Sequence, residues 1–419
     1  MSRPIFILSA QALAAAICIV TVCGSARADR TVQLGRVDLS GGGSVYTVAG
    51  LNEIDAPDRL LWDAELHGEA RLVLDNGWTL GAGLQVRAQD DSGRRGFGGL
   101  AGDCPAALAE CPSVVFDGAT VPVAAPASGL FVDGTADSFR TQVQAEDAFV
   151  FLRAPWGEVI AGREEGAAAL LAARPPATFV LVNADDGAVD PTGLAAVKTD
   201  NDLSGPSFKV SYLSPRYLGA QIGVSFTPDL EACGVDACPR EINLDNGDPL
   251  SPQHNQVVEI VAAFERRWRA SLETGVSVGF TRAGEDTGLA PFDRFQAVDA
   301  AGYAIWRGFG VSVSHLRSNN GIDGLAATAS GDYQATAIEG RYVRGPATFG
   351  LGYGFARDDL VGVEADSLHA GVSVTVKNAA SFGVGVIRSQ QVQPQTAFSG
   401  VVLSPESRTA AFIEVGLAF

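Results

Sequence analysis

Long apolar runs are missing from almost all of this chain. After residue 28 none approaches the ~20 residues that a membrane-spanning helix needs, so that part of the chain holds no helical span. Basic residues are scarce: 30 Lys and Arg stand against 48 Asp and Glu, a formal net charge of −18. So acidic a chain repels nucleic acid, which excludes it as a partner, and suits an exported protein or one that handles cations. Only His67, His254, His315 and His369 occur, scattered and without ligand spacing. With no zinc motif and no nucleophile–base signature, neither a metal, a cofactor nor an enzyme activity is expected.

The one long apolar run, residues 5 to 22, follows Arg3 and precedes Ala26-Arg27-Ala28, the small-x-small form of a cleavage site. Residues 1–28 therefore read as a signal peptide and 29–419 as the mature domain; an uncleaved anchor helix is the alternative. Cys104 and Cys111 lie in one Gly/Pro-rich stretch, Cys233 and Cys238 in another. In an exported chain such pairs read as disulfide clips, with zinc as the alternative and three connectivities open.

What the chain has in quantity is period-two alternation. Trp62, Ala64, Leu66, Gly68, Ala70, Leu72 and Leu74 share one face; Asp63, Glu65, His67, Glu69 and Arg71 share the other; Asp75-Asn76-Gly77 is a turn. At the carboxyl end Ala411, Ile413, Val415, Leu417 and Phe419 alternate with Ala410, Phe412, Glu414, Gly416 and Ala418. An alternation that runs into the last residue needs an apolar cover for Phe419, which the lipid around a closed barrel supplies. Sixteen strands are expected, at 32–40, 62–74, 78–89, 143–153, 157–163, 204–214, 218–227, 255–267, 270–282, 293–306, 309–317, 333–344, 347–357, 367–377, 380–390 and 408–419. Their connections alternate between tight and long, the asymmetry of a transmembrane antiparallel β-barrel with periplasmic turns and extracellular loops. Trp78, Trp156, Trp268 and Trp306 lie at the tight turns and Trp62 at the loop end, where a headgroup girdle places its rings.

The stretch 164–203 follows a short strand, and so long a loop there is expected to turn into the lumen. It carries Glu164, Glu165, Asp185, Asp186, Asp190, Asp200 and Asp202 against Arg174 and Lys198. These acids are candidates for a constriction that concentrates cations and excludes anions; an exposed acidic loop or a calcium site are the alternatives. Its centre, 170–182, is apolar and suited to pack on the inner wall. Alternation places Asp63, Glu65, His67, Glu69, Arg71, Arg87, Glu259, Glu273, Glu339 and Arg341 on the pore wall, where opposite charges also pair across strands.

The chain resembles the general bacterial porins of Gram-negative outer membranes. The resemblance rests on Ala148-Phe-Val-Phe-Leu-Arg-Ala-Pro-Trp-Gly-Glu-Val-Ile-Ala-Gly-Arg163, on Asp200-Asn201 and Ser211-Tyr-Leu-Ser-Pro215, and on Phe419. It implies a sixteen-stranded homotrimeric barrel in the cell outer membrane, among lipid and lipopolysaccharide, with a third loop folded into the pore. It also implies passive diffusion of ions and small hydrophilic solutes, and a role for Phe419 in the signal read by the outer-membrane assembly machinery. The best-known porins carry an arginine ladder opposite the acidic loop, and this chain departs from them: its second strand shows mainly acids at inward positions, with Arg71 as a candidate. The mild cation preference expected here rests on the acidic loop. An adhesive or structural surface barrel, a barrel hydrolase and a soluble secreted β-protein are the competing readings.

Overall fold

The structure is a computed structural model. It describes residues 30–51, 60–91, 113–116, 119–122, 142–230, 235, 254–286, 288, 292–321, 332–359, 363–392, 394–395, 401–402 and 406–419, apart from 175, 176, 186, 196, 269, 270, 377 and 378. Residues 1–28, Asp186 and all four loop cysteines (Cys104, Cys111, Cys233, Cys238) lie outside the described residues.

The strands are β1 (Arg30–Leu34), β2 (Val37–Leu51), β3 (Leu60–Val73), β4 (Thr79–Asp90), β5 (Ser113–Phe116), β6 (Ala119–Pro122), β7 (Gln142–Ala154), β8 (Gly157–Arg163), β9 (Phe208–Leu213) and β10 (Ala220–Asp229). They continue with β11 (His254–Trp268), β12 (Leu272–Glu285), β13 (Phe295–Trp306), β14 (Phe309–Ser318), β15 (Tyr333–Arg344), β16 (Ala347–Asp358), β17 (Val363–Val376), β18 (Ala380–Val392), β19 (Pro394–Gln395), β20 (Val401–Val402) and β21 (Glu406–Ala418). Among the described residues one short helix, α1 (Ala167–Leu170), follows β8. The pairs β5–β6 and β19–β20 are separate two-stranded ribbons in the long connections. The others form one antiparallel sheet in which sixteen strands close into a barrel, because β21 pairs with β2 from Ser44↔Ala418 to Leu51↔Ala411. β1 pairs with the start of β2 alone.

The seam corrects the expected first strand, 32–40. Gly41-Gly42-Gly43 reads as loop in sequence, yet β2 runs through it to Leu51, and a turn at Gly35-Arg36 separates off β1. Gly43 carries no side chain where the outer face is already filled. A Cβ at Gly43 would lie 2.7 Å from Leu66 Cδ2 and 3.1 Å from a Phe419 ring carbon. Phe419 lies over this gap, and its backbone exchanges two 2.8 Å hydrogen bonds with Gly43. The chain end is thus sealed into the barrel rather than frayed. The sixth expected strand, 204–214, also shifts: 204–207 belong to the preceding loop, and β9 starts at Phe208.

Parity then assigns the two faces. Val258 and Ile260 on β11, Val276, Val278 and Phe280 on β12, and Phe349, Leu351, Tyr353 and Phe355 on β16 are exposed on the outside. Their sequence neighbours of opposite parity are buried inside. At the tight-turn end Trp156 stacks on Tyr212 with ring centroids 6.3 Å apart and meets Trp78 edge-on. Arg266 covers Trp268 at 4.3 Å and Arg307 covers Trp306 at 5.1 Å. Amphipathic rings with cationic neighbours at one level form the girdle that a headgroup region favours.

Gly43→Val is expected to wedge the β2–β21 seam apart, since overpacking a filled site costs roughly 1–3 kcal/mol. Less protein should reach the heat-modifiable folded form on gels, and its thermal midpoint should fall. Gly68→Ala, whose Cβ would meet nothing closer than 3.8 Å, should fold as the unmodified chain does.

Candidate functional site

A loop inside a barrel has backbone N–H groups that no strand partner serves, and each needs an acceptor. The stretch 164–203 obtains them from inward-facing side chains of the wall. Ala167 N donates to Ser225 Oγ at 3.0 Å, Ala168 N to Glu259 Oε2 at 3.2 Å and Ala173 N to Ser277 Oγ at 2.9 Å, which lays the outgoing limb along β10, β11 and β12. Further on, Thr178 N donates to Glu339 Oε1 at 3.3 Å, and Val180 N and Leu181 N donate to the two oxygens of Glu414 at 2.8 Å each. Ala184 N donates to His369 Nδ1 at 2.8 Å. Donors also come from the wall: Gln89 Nε2 reaches Ala188 O at 2.8 Å and Gln391 Nε2 reaches Leu194 O at 3.0 Å. The return limb binds β13 and β14, through Asn201 Nδ2 to Asp299 Oδ1 at 2.6 Å and Thr199 Oγ1 to Ser314 Oγ at 2.8 Å. The loop therefore crosses the lumen to the β21–β4 side and comes back.

Apolar contacts fix the crossing. Phe179 enters a groove where β17 and β18 carry Gly371, Gly383 and Gly385 on the inner face; a Cβ at any of these would lie under 3 Å from its ring. Phe412 closes the groove, with centroids 4.9 Å from those of Phe179 in an edge-to-face pair. This accounts for the single large apolar residue on the inner face of β21. At the loop's start, Gly166 lets the chain approach Glu259 so closely that a Cβ there would overlap the carboxylate.

The candidate constriction acids are not equivalent. Asp190, 2% exposed, caps a turn of the loop itself: it accepts from Thr192 N (2.8 Å), Thr192 Oγ1 (2.7 Å) and Ala195 N (2.6 Å). Burial, opposed by these hydrogen bonds, raises its pKa above the ordinary carboxylate range. Glu164 is also buried, and Lys209 Nζ donates to its backbone oxygen. Burial, reinforced by the charges of Asp147 and Glu165, pushes its carboxyl up to about 8. Asp200 pairs with Arg174 at 2.6 Å and Asp202 with Lys198 at 2.7 Å. Asp185 accepts from Thr199 N at 3.0 Å and Ser314 Oγ at 3.0 Å.

On the wall, Asp63 pairs with Arg87 at 2.7 Å, and His67 lies 3.1 Å from Glu65. Arg71 pairs with Glu69, and Glu273 with Arg267 at 3.0 Å. Glu259, fully buried, and Glu339 serve the loop; Arg341 lies beside Glu339 on the same inner face. Between the two limbs and β13–β15 and β17 lies a cavity of about 240 Å³, lined by Arg174, Asp185, Asp200, Asp299 and Glu339 among alanines. Asp299, His369 and Glu414 are the functional residues that reading by charge clusters misses. Each shares the inward parity of its strand, which is the signal that identifies them.

Two outcomes follow. Glu414→Ala leaves the Val180 and Leu181 N–H groups without acceptors and is expected to cost about 2–5 kcal/mol, read as a lower thermal midpoint and a noisier open-channel current. Glu164 binds its proton more tightly folded than unfolded. Its contribution is therefore most favourable below the unfolded value near 4.5 and is lost as pH rises through about 8. The midpoint should fall with rising pH between 5 and 9, less steeply in Glu164→Gln.

The family model for Gram-negative porins matches residues 12–404. Among solved structures, OmpF of Salmonella typhi in complex with daunomycin aligns at TM-score 0.55 and 10% identity, covering 93% of this chain and 100% of that one. The OmpT outer membrane protein of Vibrio cholerae, in trimer form, aligns at 0.53 and 8%, covering 91% and 99%. The anion-selective porin of Comamonas acidovorans aligns at 0.51 and 14%, covering 91% and 99%. No curated protein sequence matches the chain. At these identities the structural likeness speaks for the fold alone, whereas the family model spans most of the chain: the protein belongs to the Gram-negative porin family and is an outer-membrane porin channel.

Proposed function

We propose that the barrel is a water-filled channel for passive diffusion of small hydrophilic solutes and ions, with a mild preference for cations. The observation that carries the preference is the lining of the constriction cavity, where Asp185, Asp200, Asp299 and Glu339 face one arginine, Arg174. A narrow, low-dielectric passage with that balance raises the local concentration of cations. The acids of the first strands are largely paired with Arg71 and Arg87, so the field is weaker than their number suggests. Residues 1–28 act as a cleaved signal peptide, the tight turns face the periplasm and Phe419 serves assembly.

The protein works as a homotrimer. The arc β2–β4, β7 and β8 supports this: between its ends the outer face carries Leu39, Val45, Leu66, Leu80, Leu84 and Val150. The mid-height aromatics sit elsewhere, on strands such as β10, β12 and β16. A smooth aliphatic face packs against a second copy better than a face of rings that stands in lipid.

In planar bilayers under a KCl gradient, the reversal potential should favour K⁺ over Cl⁻, and Asp299→Asn with Glu339→Gln should lower the permeability ratio about twofold. A potential that favours Cl⁻ contradicts the preference; folded protein that never conducts contradicts the channel.

A further inference from the structure

The tight-turn rim of the barrel is charged unequally around its circumference. On the arc from β11 to β16 the strand register aligns Trp268 with Leu272, Leu272 with Trp306, Trp306 with Phe309, Phe309 with Tyr342 and Tyr342 with Phe349. All six take the outward parity of their strands. At ~4.8 Å per strand they form one apolar row over roughly 25 Å of the outer surface. Three arginines border this row. Arg266 is outward on β11, two residues nearer the bilayer centre than Trp268, and its guanidinium bends back over the Trp268 ring at 4.3 Å. Arg307, in the β13–β14 turn, lays its guanidinium over the Trp306 ring at 5.1 Å. Arg344 is exposed at the end of β15, on the outward parity of Tyr342.

Among the described residues none of the three pairs with a carboxylate, and no Asp or Glu takes an outward position on β11–β16. Other basic side chains at this end of the barrel are neutralised: Arg36 by Asp75 at 2.9 Å, Arg153 by Glu158 at 2.9 Å, Arg216 by Glu265, and Arg267 by Glu273 at 3.0 Å. Positive charge without a counter-charge is thus confined to one arc of a chain whose net charge is −18. Arg266 fixes its depth: a side chain rooted on the lipid face bends along apolar surface to hold its charge at the headgroup level. A guanidinium there keeps its flat face on the ring and offers its donor fork to a phosphate. A zwitterionic headgroup brings its own cation to the arginine, whereas an anionic one does not, and no outward carboxylate repels it.

We propose that the outer rim of β11–β16 binds anionic phospholipid, with a headgroup phosphate on each of Arg266, Arg307 and Arg344 and the upper acyl segments against the apolar row. The arginines belong to β11, the β13–β14 turn and β15, so successive ones lie two strands, or about 10 Å, apart. Each therefore meets its own phosphate, and the site is a row and not a pocket. The arc lies away from β2–β8, the aliphatic face assigned to a second copy, and stays open to lipid in a trimer. In the cell the proposal rests on the orientation given above, which puts the tight turns at the phospholipid leaflet; the lipid preference itself does not require conduction.

The test places the full barrel in vesicles of phosphatidylcholine and phosphatidylglycerol, with one lipid or the other brominated as a quencher. Trp62→Phe, Trp78→Phe and Trp156→Phe leave Trp268 and Trp306 as the only tryptophans, so the emission reports this arc. Brominated phosphatidylglycerol is expected to quench at about fivefold lower abundance than brominated phosphatidylcholine, the factor that one basic residue near a membrane surface supplies. Arg266→Gln, Arg307→Gln and Arg344→Gln together should bring the two lipids to equal quenching. Arg344→Gln alone, whose side chain holds no ion pair, should already lower the advantage. The charge-matched control Arg36→Gln, Arg153→Gln and Arg216→Gln should keep it. Native mass spectrometry of the unmodified barrel in detergent gives a second readout, in which phosphatidylglycerol should be retained over phosphatidylcholine. Equal binding of the two lipids by the unmodified barrel, or an advantage that survives the triple substitution at the rim, overturns the site and leaves the channel reading intact. Preference for phosphatidylglycerol in a barrel that never conducts supports the site and counts against the channel.

Discussion

The structure depends on the need of a buried backbone for hydrogen-bond partners. A barrel wall satisfies its own N–H and C=O groups strand to strand, and closure leaves no edge. A loop folded into the lumen has no such ladder. In this chain the wall lends side chains in its place: Ser225, Glu259, Ser277, Glu339, His369 and Glu414 all accept loop N–H groups. The inward carboxylates thus divide between two tasks. Glu259 and Glu414 hold the loop, whereas Asp299 and Glu339 also border the cavity. The position of the loop and the charge around the cavity beside it are consequently set by the same row of acids.

Packing on the lumen side follows from that crossing. Where Phe179 meets the wall, β17 and β18 give up their side chains, and Phe412 and His369 flank the ring. Two apolar clusters are built inside the barrel in this way, one around Phe179 and Ile387, the other around Val197, Phe295 and Tyr333. On the lipid side the rule is simpler: apolar residues at one parity, rings and cationic partners at the turn level.

Much of the barrel is legible in sequence because period-two alternation is a local signal. The strand from Trp62 to Val73 shows its lumen and lipid faces without any neighbour. Phe419 likewise announces that the chain end is covered. The failures have a common cause. Gly41-Gly42-Gly43 lacks the side chains that carry alternation, so a strand reads as a loop. The acids of 164–203 read as one electrostatic cluster, yet Asp190 spends its oxygens on a turn and Asp202 on Lys198. Asp299, Asn201 and His369 meet only in three dimensions, across strands far apart in sequence, and no local pattern connects them. Phe412 is an exception to its face in sequence, and its reason, Phe179, lies on a distant segment with ring centroids 4.9 Å apart.

Hydrogen–deuterium exchange of the detergent-solubilised barrel tests most directly whether wall side chains hold the loop. The account predicts that the amides of Ala168, Val180, Leu181 and Ala184 exchange as slowly as those of the neighbouring strands. Exchange of these amides at the rate of a solvated loop would contradict it.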